Sequence, residues 1–246
     1  MKIKRIYLLS LLLVFALCLY PFREHFRRPA ILVYQIMRGR KTLAGRVAEY
    51  SDVVHHRLGP AFASVHEAYP PQKVTLVGIK AARILQVWVA GADGEWKHLK
   101  DYPVLGMSGG LGPKLADGDG QAPEGLYRVE SLNPNSIIHL SLRLNYPNAD
   151  DLRHAQLDGR TQLGTDIMIH GGTASGGCLA MGDPAAEDLF VLVAETGIPN
   201  VSIILTPVDF SKSALPAKTL PLPKWSDELY ASIKVELAKL EPVTKP

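Results

Sequence analysis

The sequence has only two cysteines in 246 residues, Cys18 and Cys178. Cys18 sits inside an apolar N-terminal run, so Cys178 has no disulfide partner in the body of the chain. It is either an inert buried residue or a working thiol. No His/Cys spacing suited to zinc occurs, and neither a metal nor a cofactor is expected. Net charge is also low: 27 basic against 24 acidic residues leaves +3. The sign is uneven, because residues 1–60 hold 11 basic and 3 acidic side chains and residues 61–246 hold 16 and 21. The body is slightly acidic, which argues against a nucleic-acid partner. Charged residues are 21% and hydrophobic ones 47%, which excludes a disordered chain and supplies a core for one or two domains. No internal repeat is present.

Several motifs fail on inspection. Gly109-Gly110-Leu111-Gly112-Pro113-Lys114 is not a phosphate loop, since Pro113 stands where glycine must precede the lysine and no Ser or Thr follows. Asp117-Gly118-Asp119-Gly120 lacks the later ligands of a calcium loop. His55-His56 reads as a solvated helix face.

The N-terminus carries Lys2, Lys4 and Arg5 before the apolar stretch Ile6–Tyr20, the pattern of an export signal. Ala16-Leu17-Cys18 is a poor small-x-small cleavage site, and Leu17 is equally poor before a lipidated cysteine. A retained signal anchor over 1–22 is therefore favoured over a cleaved signal, although its length is at the short limit for a span. Arg23, Arg27 and Arg28 follow it, so charge does not set its orientation. The basic stretch Arg23–Arg46 is either a headgroup contact or a solvated helix flank.

Residues 23–71 are expected to form a helical segment, with Leu43, Val47, Tyr50, Val54, Leu58, Phe62 and Val65 on one stripe. Gly59-Pro60 is expected to divide it into two helices. From Lys73 the period changes. Val74–Lys80, Arg83–Ala90 and Glu95–Lys100 read as strands, with a hairpin loop at Gly91–Gly94. Ile138–Leu144 alternates, Asp166–His170 is a short strand, and Val201–Leu205 is the last. A helix starts with Asp183 as N-cap and Pro184 behind it, and stops at Gly197. A proline-rich wrap and a short helix capped by Ser226 fill 211–246. The fold class is mainly β, α+β, with peripheral helices.

The chemistry concentrates in Ile167-Met168-Ile169-His170-Gly171-Gly172-Thr173-Ala174-Ser175-Gly176-Gly177-Cys178. A strand delivers His170, and a loop of small residues folds back to bring Cys178 near it. A free thiol is mostly protonated at neutral pH and needs a base, which an imidazole in reach supplies. Attack on an amide builds an oxyanion, for which Gly176, Gly177 and Cys178 offer backbone N–H donors. The imidazole also needs an orienting acceptor. No Asp or Asn in this run is placed for it, which leaves the carbonyl of Gly171 or Gly172, or the Ser175 hydroxyl. The bland alternative is a structural cysteine beside a glycine turn, but no core requires so many small residues there. His139 and Arg143 share the polar face of their strand and either line a cleft or are simply exposed.

At these residues the chain resembles the L,D-transpeptidase (YkuD-type) family of cell-wall enzymes. Its signature is a strand-borne His-Gly, a spacer, then Ser-His-Gly-Cys, matched by His170-Gly171 and Ser175-Gly176-Gly177-Cys178. Two departures stand out: the spacer is short, and Gly176 replaces the second histidine. Both are similar to the YafK-like periplasmic murein branch, as are Ser108–Lys114, Gly118-Asp119, Pro123-Glu124-Gly125 and Tyr146-Pro147-Asn148. The resemblance covers about 72–210. It implies a β-sandwich-like catalytic domain acting on peptidoglycan stem peptides in the periplasm, held to the membrane by the N-terminal segment. Cys178 would attack the carbonyl at the L-centre of diaminopimelate and expel D-alanine, with His170 as base. An amine acceptor, another stem or a lipoprotein lysine, makes the enzyme a transferase. Water makes it a hydrolase that releases a murein-linked lipoprotein or stem. A degenerate site would leave only a peptidoglycan-binding protein. Substrate carboxylates call for cationic clamps, and Lys114, Arg143 and Arg153 are the candidates, with Tyr146 and Asn148 shaping the cleft.

Overall fold

A computed structural model of the chain describes residues 39–216 and 221–240. The expected export segment at 1–22, Cys18 and the beginning of the helical segment at 23–71 lie outside those residues. Among the described residues no helix is long and apolar enough to cross a membrane.

The first element is helix α1, Leu43–Ser64, capped by the Thr42 side chain, which accepts from the Gly45 N–H at 3.0 Å. Its buried residues Val54, Leu58 and Phe62 are spaced by four, one edge of the expected stripe. The expected break at Gly59-Pro60 does not occur, and Pro60 lies inside one continuous helix. A proline inside a helix lacks the N–H for one ladder bond and crowds the turn before it. Gly59, with no Cβ, relieves the part of that crowding that falls on the preceding residue.

Strands β1 (Lys73–Ile79), β2 (Ile84–Ala90) and β3 (Trp96–Pro103) follow as an antiparallel meander. Six of the seven β1 residues are buried. That pattern suits a central strand, and β1 has β2 on one side and the parallel strand β8 (Val201–Thr206) on the other. Next come β4 (Gly125–Ser136), β5 (His139–Leu144), helix α2 (Ala149–Leu157), β6 (Met168–His170), β7 (Leu179–Ala180) and helix α3 (Asp183–Thr196). Helix α4, Ser226–Ala238, closes the described chain. From Thr42 onward the chain is one compact unit, so α1 and α4 belong to the same body as the strands.

The eight strands make one mixed sheet in the order β3-β2-β1-β8-β4-β5-β6-β7. The ladder is continuous, and the long strand β4 serves two partners. Gly125–Arg128 pairs with β8, and the stretch from Val129 onward pairs with β5. Register shifts within the β4–β5 pair mark bulges, which bend a strand and re-aim it. The main core contains Leu76, Leu142, Ile169, Leu189 and Phe190, and a smaller cluster of Val77, Ile204, Leu229, Tyr230 and Ile233 holds α4. The end of the sheet formed by β5, β6 and β7 carries the histidine and the cysteine.

Candidate active site

Strands β6 and β7 run parallel, with Ile169 level with Leu179 and His170 level with Ala180. A parallel pair obliges the chain to travel back to its starting level, and the loop 171–178 does so. His170 therefore stands at the exit of β6 and Cys178 beside its entrance. The register separates them by one strand and two residues, about 8 Å between Cα atoms at ordinary ladder spacing. The thiol donates to the Asp166 carbonyl at 3.5 Å, and no hydrogen bond joins it to the imidazole among the described residues.

His170 is buried, at 1% exposure. Its Nδ1 donates to the Gly171 carbonyl at 2.6 Å. Of the three acceptors the sequence left open, this one orients the ring. The Gly172 carbonyl accepts from the Gly182 N–H at 2.9 Å, and the Ser175 hydroxyl donates to the Cys178 carbonyl at 2.5 Å, closing the loop. With the proton on Nδ1, the Nε2 lone pair has no partner among the described residues. Burial depresses the His170 pKa, and the Gly171 bond offsets this only in part. The ring is thus a neutral imidazole at neutral pH, able to accept a proton.

Cys178 is half-buried. Burial raises its pKa; a backbone hydrogen bond from Met168 opposes this, the Asp166 carboxylate adds to it, and the Lys114 ammonium opposes it. The net effect is upward, so the resting pair is a thiol beside a neutral imidazole and not an ion pair. Such a pair performs general-base chemistry, in which the thiolate forms only as the bond to the substrate is made.

The loop between them needs glycine at defined places. Gly177 has φ +108°, and a Cβ there would lie 3.2 Å from the Gln121 carbonyl oxygen. At Gly176 a Cβ would meet nothing within 4 Å, so packing does not explain the glycine that stands there. The N–H groups of Gly176, Gly177 and Cys178 make no turn or side-chain hydrogen bond among the described residues, and remain available as donors.

The candidate clamps separate into two groups. Lys114 is buried beside the thiol's field and donates to the Ala116 carbonyl at 2.7 Å and to Asp119 at 2.5 Å. Burial pushes the Asp119 carboxyl up, but Lys114 and three backbone N–H groups outweigh it and hold it below the usual range. Arg143 on β5 lies level with Met168 and pairs with Asp166 at 2.5 Å and Glu130 at 2.6 Å. Lys114 acts on the thiol through its field, and Arg143 holds the carboxylate of Asp166, whose carbonyl accepts from the thiol. Tyr146 and Asn148, expected at the cleft wall, and Arg153, expected as a clamp, have their polar atoms engaged by other parts of the chain. Tyr146 is 3% exposed, and its hydroxyl donates to the Leu163 carbonyl at 3.1 Å. Asn148 caps α2 and donates to the Leu126 carbonyl at 2.8 Å. Arg153 faces α4, with Glu228 at 2.8 Å.

Sequence reasoning missed two supports. Lys80 and Glu124 form a buried pair at 3.0 Å beneath the glycine-rich loop. Glu124 also accepts from the Gly112 N–H and from the Tyr230 hydroxyl of α4. Nothing local in either residue signals a partner so distant in sequence. Asp183 was expected as an N-cap, but Gly182 occupies that position and the Asp183 carboxylate accepts from the Gly172 N–H at 2.8 Å.

A family model described as the L,D-transpeptidase catalytic domain (YkuD) matches residues 73–208. The Escherichia coli K12 protein named "Putative L,D-transpeptidase YafK" is 33% identical over 133 residues, 52% of this chain and 51% of its own length. The chain thus spans about half the length of the curated relatives it matches. Among solved structures, the helical cell shape determining protein Pgp2 from Campylobacter jejuni aligns at 22% identity, with TM-score 0.46, over 56% of this chain and 48% of that one. Bdellovibrio bacteriovorus Bd1075 aligns at 18%, with TM-score 0.41, over 70% and 58%.

Proposed function

The chain belongs to the L,D-transpeptidase (YkuD) catalytic-domain family, and on that premise we propose that it is a cysteine-dependent L,D-transpeptidase acting on peptidoglycan stem peptides. The observation that carries the reading is the Nδ1–H tautomer of His170, fixed by Gly171, which leaves Nε2 as the free base on the strand beside Cys178.

The steps are as follows. Nε2 takes the Sγ proton as sulfur attacks the carbonyl at the L-centre of diaminopimelate. The oxyanion is met by the free N–H groups of Gly176 to Cys178, where fixed donors stabilise charge that appears only in the transition state. The intermediate collapses, its C–N bond breaks, and the imidazolium returns the proton to the leaving amine of D-alanine. A thioester on Cys178 remains. An acceptor amine then attacks it, gives a proton to His170 and regenerates the thiol. Arg143, whose side chain is partly exposed, supplies positive charge for the substrate carboxylates, while Lys114 acts through its field at the thiol. The distance between thiol and imidazole closes when substrate binds, as catalytic hydrogen bonds commonly tighten in the complex. Residues 1–22 export the chain and hold it at the inner membrane, which puts the site in the periplasm.

Hydrolysis is the second reading. Thr173, Ala174 and Gly176 are exposed, and no side chain at position 176 shields the thioester from water. A lipoprotein joined to the stem through a lysine amide would leave as its amine when Cys178 forms the thioester, and water entering there would then free the stem as its carboxylic acid and regenerate the thiol. The test uses the full chain and its Cys178→Ala variant on isolated sacculi with attached lipoprotein, read by mass spectrometry of muropeptides. New diaminopimelate–diaminopimelate bonds or newly lipoprotein-linked stems, absent with the variant, are the expected result. Loss of lipoprotein-linked stems without new bonds would establish the hydrolase. Binding to sacculi with no Cys178-dependent change would overturn catalysis altogether and leave a peptidoglycan-binding protein.

A further inference from the structure

We propose that Asp183 is a positioning residue that aims His170 and raises its basicity through a single peptide unit, the one joining Gly171 to Gly172. The proposal deepens the reading of His170 as the base and rests on it.

One amide carries both hydrogen bonds. Its carbonyl, from Gly171, accepts His170 Nδ1–H at 2.6 Å. Its N–H, from Gly172, donates to Asp183 Oδ1 at 2.8 Å. Bonds at the two ends of an amide polarise one another: a negative acceptor on the N–H side increases the negative charge on the carbonyl oxygen. The imidazole thus faces a stronger acceptor than an ordinary backbone carbonyl. The arrangement takes the place of the carboxylate that orients histidine directly in other nucleophilic sites, which is absent from the 167–178 run.

Three details show that the carboxylate is placed for this task. Asp183 is the first residue of α3, a helix with no side-chain cap bond, and its carboxylate turns to the loop. A Cβ on Gly171 would lie 2.5 Å from Asp183 Oδ1 and 2.8 Å from the His139 Cβ, so glycine at 171 is what lets the carboxylate approach. The two segments are also zipped together, with Met181 N–H on the His170 carbonyl at 2.8 Å and Gly182 N–H on the Gly172 carbonyl at 2.9 Å.

Other charges lie nearby, and their partners differ. Glu187, one turn along α3, is held by Arg57 at 2.9 Å and by His139 at 3.0 Å. Arg57 from α1 also donates to the Pro184 carbonyl at 3.2 Å. Tyr50 packs edge-on against His139. On the thiol side stand Asp166, Arg143 and Lys114. Asp183 is exposed, so water screens its direct field at the imidazole. The hydrogen-bonded amide is the path by which it acts.

The experiment follows the His170 imidazole by nitrogen NMR in the full chain across pH, with the signal assigned by its loss in His170→Gln. Asp183→Asn keeps an oxygen for the Gly172 N–H and removes the charge; Asp183→Ser is the second neutral variant, should the first fail to fold. The expected result is a lower titration midpoint in either neutral variant, return toward the parent value in Asp183→Glu, and no movement in Glu187→Gln. Cys178-dependent turnover should fall by roughly tenfold in kcat, with KM changed by less than about twofold. A midpoint in the neutral variants equal to the parent's would reduce Asp183 to a loop staple. Equal movement in Glu187→Gln would show a general field and overturn the relay as well. Absence of turnover in the parent would defeat the proposed function, while the titration would still decide for or against the relay.

Discussion

Replacing Glu124 with alanine tests whether the buried ion pair is what anchors the glycine-rich loop to the body. Glu124 is 1% exposed and Lys80 5%. One carboxylate oxygen accepts from Lys80 Nζ at 3.0 Å and from the Gly112 N–H at 2.7 Å, and the other accepts from the Tyr230 hydroxyl at 2.8 Å. The substitution strands an ammonium with only the Gly112 and Ala122 carbonyls, each at 2.8 Å. It also orphans a backbone donor and a phenol. Breaking one side of a buried pair costs roughly 3–5 kcal/mol. In a unit of this size each kcal/mol moves the melting temperature by about 2–4 °C, so the loss should be about 6–20 °C. Burial already lowers the Lys80 pKa below 10.5, and Glu124 works against that shift. The folded state therefore binds this proton more weakly than the unfolded chain, and stability from this group rises with pH up to the unfolded value. Without Glu124 the folded pKa drops further, so the deficit of the variant is largest at neutral pH and narrows toward pH 10. Circular dichroism melts of the full chain at both pH values measure it. A loss under about 2 °C at pH 7, or a deficit that grows with pH, would refute the reasoning.

Three further outcomes are expected. Alkylation of Cys178 by iodoacetamide should climb with pH past the ordinary thiol value of 9.0, and a rate plateau below neutrality would instead reveal a preformed thiolate–imidazolium pair. Gly176→His should change stability by no more than about 0.5 kcal/mol in a denaturant melt, because a Cβ there meets nothing. Arg57→Ala should cost about 3 kcal/mol by the same measurement, since it leaves buried Asp188 with only the Tyr102 hydroxyl at 2.8 Å and Lys100 at 4.0 Å, whereas Arg153→Ala, which breaks an exposed pair, should cost under about 1 kcal/mol.

Much of the fold follows from patterns that short windows contain. The meander β1–β3, the strand β5, the helix α3 and its stop at Gly197 all rest on local periodicity and turn residues, and they stand within a few residues of where those patterns put them. Strand β4 has no counterpart among the strands read from the sequence, and its Asn133-Pro134-Asn135 stretch is unlike a strand interior. In the structure the β4–β5 ladder absorbs that stretch with a shift of register. Helix α2 was missed as well: its interior is mostly polar, and its strength lies in the Asn148–Asp151 capping box. The dipeptide Gly59-Pro60 is a turn signal in a short window, whereas in α1 the helix continues through it, with Val54, Leu58 and Phe62 buried on one face.

The sequence by itself determined that a histidine at a strand end and a lone thiol are joined by a loop of small residues, because residue type and spacing are local facts. Only the tertiary structure decided what surrounds them. The parallel pairing of β6 with β7 sets how far apart they stand. Chain closure made the Gly171 carbonyl the acceptor and left Nε2 free. Packing turned Tyr146, Asn148 and Arg153 inward or aside, brought Asp183 to the loop between His170 and Cys178, and gathered Lys80 and Tyr230 around Glu124. Hydrogen-bond partners of buried groups are chosen by three-dimensional proximity, and a one-dimensional pattern carries that information only when both partners lie within a turn or two of each other.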